Sequence, residues 1–159
     1  MPMNTFFQLS GGGGCFSADD GGKNSILYFA VRAYVSQDCA DNDECEIAQV
    51  YGWPMNSWCV GNVKNMSYLF QYMITFNEDI NGWNTTSVTD MSFMFNGASS
   101  FNQDLSFNTS SVTNMAHMFH LATAFNGDLS NFDTSRVNYM NYMFNGASSF
   151  NRNLCSWHR

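Results

Sequence analysis

Four sets of residues in this 159-residue sequence have types and spacings that could do chemistry. His117 and His120 stand three apart, so on one helical turn they could meet a single metal ion. Asp79, Asp104 and Asp128, with Asn153 as the last member, recur at near-constant spacing and would stack like charges, a repulsion that calcium could relieve. Cys39 and Cys45 bracket a polar loop that a disulfide could close. With Cys15, Cys59 and Cys155 they make five cysteines, an odd number that leaves at least one thiol without a partner in the same molecule. Thr85, Thr109 and Thr134 form one rank of hydroxyls, and Thr89 and Thr113 add two more.

The first three sets also have a structural reading, and that reading is preferred. No nucleophile or acid accompanies the histidines, and G-x-S-x-G, phosphate-loop and H-E-x-x-H motifs are absent, so no enzyme activity, metal or cofactor is expected. The repeat-calcium motif is absent too, so the aspartates are expected to accept backbone N–H bonds in their own turns. No second Cys or His pair lies near Cys39 and Cys45, which favours a disulfide over zinc.

What positions these residues is a repeat. Val63, Val88, Val112 and Val137 are separated by 25, 24 and 25 residues, and Phe76, Phe101, Phe125 and Phe150 repeat the same differences. Within each copy apolar residues fall at i, i+3, i+4 and i+7, as in Met91, Met94, Phe95 and Ala98, which predicts a short helix. Leu105 and Phe107 then alternate with polar neighbours as an inward-facing strand would. His117 takes the place of Tyr68, Phe93 and Tyr142, and the Met and aromatic columns are read as core. The period lies in the range of leucine-rich repeats. The expected fold is therefore an α/β repeat solenoid, a short leucine-rich-repeat-like right-handed coil of about four repeats with an N-terminal capping helix.

Three regions follow. Residues 1–22, with Phe6-Phe7 and the run Gly11 to Gly14, read as a flexible segment without the features of a signal peptide. Residues 23–62 hold an amphipathic helix over Ser25 to Gln37 and the aromatics Trp53 and Trp58, a helix and capping region. Residues 63–159 are the four-copy array, whose stop at Trp157-His158-Arg159 in mid-turn reads as truncated and open to self-association. Cys155 lies too far along the stack to reach Cys59.

Composition narrows the partners. Thirteen acidic residues against six basic ones give a charge of −7, and two lysines cannot neutralise a run of phosphates, which excludes nucleic-acid binding through a basic patch. No apolar run is long enough for a membrane span. Twenty asparagines, with abundant Ser and Thr, supply an uncharged polar surface instead.

The unit seen in Val112 to Phe119 and Phe101 to Leu105, V-T-N-M-x-x-M-F followed by F-N-x-D-L-S, resembles the BspA-type leucine-rich-repeat surface proteins, in the variant known as a mycoplasma lipoprotein repeat. That resemblance spans about Val63 to Trp157. It implies an extracellular or cell-surface protein used for adhesion or recognition of a protein or glycan, and brings no catalytic residues. The candidate binding residues are Thr85, Thr89, Thr109, Thr113 and Thr134 on a flat solenoid face. The alternatives are an ice- or crystal-surface binder, or a structural solenoid that associates through its coil ends.

Overall fold

Ser25 opens the first regular element, its hydroxyl accepting the N–H of Tyr28 at 3.1 Å, which satisfies one of the donors a helix start leaves open. Helix α1, Ile26–Ser36, follows and buries Leu27, Tyr28, Ala30, Val31 and Tyr34. A shorter helix, α2, Glu46–Tyr51, starts at Cys45. Single turns of 3-10 helix lie at Cys39–Asp41 and Met55–Ser57. The computed structural model describes residues 15–157; residues 1–14, which hold most of the expected flexible segment, lie outside them, as do His158 and Arg159.

Two disulfides fasten this region. Cys39 is bonded to Cys45 across the polar loop, and Cys15 to Cys59 across 44 residues of sequence. Beside the second bridge the N–H of Phe16 donates to Cys59 O at 2.9 Å, and the ring of Phe16 stacks on Tyr51 with centroids 4.7 Å apart. Cys155 is exposed and free.

The expected α/β repeat solenoid is overturned. Both α-helices precede the repeats, and the described residues contain no strand, only isolated parallel bridges linking Asn65 to Asp90, Asp90 to Asn114 and Asn114 to Tyr139. The leucine-rich-repeat pattern of one helix and one strand per copy is therefore absent. The reason lies in where the backbone donors go. An α-helix needs each N–H to reach the carbonyl four residues back. Here the N–H groups of Met66, Tyr68, Phe70 and Tyr72 donate forward instead, to the carbonyls of Asp90, Ser92, Met94 and Asn96 in the next copy, at 2.8–3.1 Å. Alternate donors, at Gln71 and Met73, close turns onto the carbonyls three residues back.

The same scheme recurs between the later copies, from Met91 to Gly97 onto Asn114 to His120, and from Met115 to Leu121 onto Tyr139 to Asn145. Such a path requires left-handed backbone at two places per copy. Tyr68, Phe93, His117 and Tyr142 hold φ of 57–64°, and Tyr72, Gly97, Leu121 and Gly146 hold 58–79°. A non-glycine residue in this region costs about 1–2 kcal/mol, which the forward hydrogen bonds must offset. Leu105 and Phe107 are buried with Ser106 exposed between them, so the alternation exists without a strand ladder.

Stacked rings fill the interior. Phe70, Phe95, Phe119 and Phe144 form one column with centroid steps of 5.2, 5.4 and 5.6 Å. Phe76, Phe101, Phe125 and Phe150 form a second with steps of 5.7–5.8 Å. The two columns meet within each copy at 4.0–4.2 Å, so every phenylalanine of the pattern has ring neighbours above, below or beside it.

The first copy is closed by α1 and the segment after it. Arg32 Nη2 donates to Gln71 O at 3.0 Å, Tyr34 meets Trp58 edge to face, and Trp58 stacks on Trp83. Gln71 O is a carbonyl that in later copies accepts a backbone N–H from the preceding coil, so the guanidinium stands in for a missing coil.

Candidate recognition face

The threonine ranks divide into an inner and an outer set. Thr85 and Thr109 are each 1% exposed and Thr134 is 4% exposed, so these three hydroxyls are not presented at the surface as a flat face would require. Thr85 Oγ1 donates to Asn108 O at 3.1 Å, and Thr109 Oγ1 donates to Asp133 O at 3.0 Å while accepting the Asp133 N–H at 2.7 Å. Threonine suits this position because its hydroxyl can both donate and accept, and so can link one copy to the next. Thr89 and Thr113 are exposed, and each donates to the preceding copy, to Lys64 O at 3.1 Å and Thr89 O at 3.2 Å.

The aspartate and asparagine columns hold turns and coils together. Asp79 Oδ1 accepts the N–H of Asn81, Asp128 Oδ1 that of Ser130, and Asn153 Oδ1 that of Cys155, each two residues on. Asp104 Oδ1 instead accepts the Asp128 N–H of the next copy at 2.7 Å. The hydrogen bonds from Ser130, backbone first and then hydroxyl, hold the Asp128 carboxyl below its usual range, with Arg152 contributing less. Asn77, Asn102 and Asn126 use their side-chain oxygens to accept the N–H groups of Asn102, Asn126 and Asn151 at 2.7–3.0 Å. Among the described residues no group of three or more His, Cys, Asp or Glu is arranged to hold a metal ion.

The feature that sequence reasoning misplaced is the column Tyr68, Phe93, His117 and Tyr142. Assigned to a helix and to the core, it stands at the surface: Tyr68, Phe93 and His117 are half-buried and Tyr142 is exposed. The rings stack face to face at 4.8, 4.5 and 5.0 Å, and Lys23 Nζ lies 5.5 Å from the Tyr68 centroid at the other end. Left-handed φ at each of these residues swings the side chain out of the interior. Replacement of one aromatic by histidine in register was the available signal, since imidazole is poorly suited to a fully apolar core.

His117 and His120 are brought together, centroids 5.3 Å apart, with their rings edge to face rather than converging on a common ion. His120 Nδ1 lies 3.0 Å from the side-chain amide nitrogen of Asn96. Burial, and then the nearby His120, push the His117 imidazole below its usual value. Tyr72 is 65% exposed, Tyr139 62% and Tyr142, the last ring of the ladder, 62%. Tyr72 leans over Gly97 and Leu121 over Gly146, where a Cβ would collide with the neighbouring side chain. Bulky and minimal residues thus alternate along that column.

The turn segments of the four copies therefore expose tyrosine, asparagine, threonine and histidine on a framework fixed by backbone hydrogen bonds. No helix among the described residues is long and apolar enough to cross a membrane. No curated protein and no solved structure matches the chain. A family model described as "Mycoplasma protein of unknown function, DUF285" matches residues 43–157, and the chain belongs to that family.

Proposed function

We propose that the protein is a non-enzymatic recognition or adhesion module at a cell surface, contacting a protein or glycan through the aromatic turn face. The observation that carries this is the exposure of Tyr72, Tyr139 and Tyr142, the last of them stacked at the end of the ladder of Tyr68, Phe93 and His117. Tyrosine gives large amphipathic contact area at low conformational cost, and Ser, Asn and Thr add adaptable hydrogen bonds. The resemblance of the repeat to BspA-type surface proteins supports the same reading. The ice-binding alternative is weakened, because three of the threonines that would form its rank are buried.

Arrays of glycans and of extracellular proteins, probed with the chain and with a Tyr72→Ser/Tyr139→Ser/Tyr142→Ser variant, test the proposal. Loss of at least about tenfold in affinity with an unchanged fold supports it. Equal binding by the two proteins contradicts it.

A further inference from the structure

The repeats hold three sequons of the form Asn-x-Ser/Thr, the pattern of N-glycan acceptors: Asn65-Met66-Ser67, Asn84-Thr85-Thr86 and Asn108-Thr109-Ser110. In a chain with twenty asparagines such matches arise freely, so the pattern alone assigns nothing. The fold separates the three. Asn65 is half-buried, and Met66 and Ser67 are buried. A Cβ on Gly22 would come within 3.2 Å of the Asn65 amide nitrogen, and one on Gly21 would collide with Asn65 O, so this segment lies directly over the residue. A glycan on Asn65 would have to displace it.

Asn84 and Asn108 occupy one register, a copy apart. Both are exposed, the threonine after each is buried, and Thr86 and Ser110 are exposed again. The acceptor amide and the hydroxyl of the sequon therefore face solvent together, while the middle residue anchors the turn to the next coil. At Asn108 the Ser110 N–H and the Ser110 Oγ both donate to Oδ1, at 3.1 and 2.7 Å. These bonds are local, so they are available before the coils stack. They engage the amide oxygen and leave Nδ2 without a hydrogen bond among the described residues. At Asn84 only the Thr86 N–H bonds Oδ1, and the amide nitrogen sits beside Gly61, where a Cβ would come within 3.1 Å of it.

The turn does not itself require an amide. Asp133, at the same position of the next copy, accepts the Ser135 N–H at 2.9 Å with a carboxylate. The bridges Cys15–Cys59 and Cys39–Cys45 are bonds that persist in oxidising compartments, where sequons also meet their transferase.

We infer that Asn108 is the acceptor of an N-linked glycan; the inference rests on the surface location proposed above. Its Nδ2 attacks the anomeric carbon of a lipid-pyrophosphate-linked oligosaccharide. A C–N bond replaces the C–O bond to phosphate, the lipid pyrophosphate leaves with that electron pair, and one amide proton passes to solvent. Asn65 stays bare in the folded chain.

The test isolates the full chain from the cells that make it, alkylates it without reduction and maps chymotryptic peptides by mass spectrometry, before and after enzymatic glycan release in heavy-oxygen water. The peptide holding Asn108 carries the glycan in most molecules and is converted to labelled aspartate on release, whereas the peptide holding Asn65 is unmodified. Asn108→Asp, which keeps the turn as Asp133 does, loses that glycan with an unchanged Tm. A bare Asn108, with or without a glycan on Asn84, or an occupied Asn65 in the folded chain, overturns the inference. If Asn108 is bare and Cys15 and Cys59 are bridged, this inference alone fails; if those cysteines are alkylated thiols, the surface location fails with it.

Discussion

The imidazole of His117 lies face to face with the ring of Phe93, centroids 4.5 Å apart and planes 7° apart, and its other face meets Tyr142 at 5.0 Å. A titratable ring inside an aromatic ladder links the surface of this protein to its stability. Because burial lowers the His117 pKa in the folded state, the unfolded chain binds the proton more readily. Stability is then fully present above the ordinary histidine value of 6.5 and falls as pH drops below it. Replacing His117 with Phe should keep the ladder and flatten that acid-side fall, as measured by Tm between pH 7.5 and 5.

Glu78 works in the opposite sense. Burial pushes its carboxyl up; a hydrogen bond from Tyr34 opposes this, and Asp41 and Asp38 add to it. A raised acid pKa gives stability that is present below the unfolded value and lost as pH rises through the folded one. Glu78→Gln is therefore expected to raise Tm at pH 7. A lower Tm would show that the charged form makes favourable contacts at this junction of cap and first copy.

Thr109 and Thr113 separate structure from surface. Thr109→Val removes both hydrogen bonds to Asp133 and should cost about 1–3 kcal/mol in denaturant unfolding. Thr113→Val, at an exposed position, should cost no more than about 0.5 kcal/mol. Equal losses would contradict the division into inner and outer ranks.

The Cys15–Cys59 bridge closes a loop of 44 residues that holds α1 over the first copy. In the chain-entropy account a loop of that length is worth about 3–4 kcal/mol. The Cys15→Ser/Cys59→Ser variant should lose stability of that order and expose Phe16 and Tyr51, followed by denaturant unfolding and by binding of an apolar dye.

Much of this organisation is visible in the residue order, and some is not. The Val and Phe columns give the period, and the columns at Phe70 and Phe76 are core because large apolar side chains recurring at that interval must meet. The Asx pattern, with an acceptor at Asp79 or Asp128 and its donor two residues on, is equally local. The backbone path is not legible. Apolar residues at i, i+3, i+4 and i+7 arise from an α-helix, and equally from consecutive turns with left-handed residues at Phe93 and Gly97. Glycine or asparagine at every such position would have exposed the difference, but Tyr, Phe, His and Leu occupy most of them. Thr109 misleads in the same way, since a hydroxyl serves an outward face or an inner hydrogen bond and the residue type does not say which.

The ladder itself is tested most directly by following the ring protons of His117 through a pH titration by NMR. A ring held between Phe93 and Tyr142 should show strong upfield ring-current shifts and titrate below 6.5. Unshifted ring protons with a midpoint at or above 6.5 would place His117 outside the stack and remove the ordered aromatic face on which the recognition reading rests.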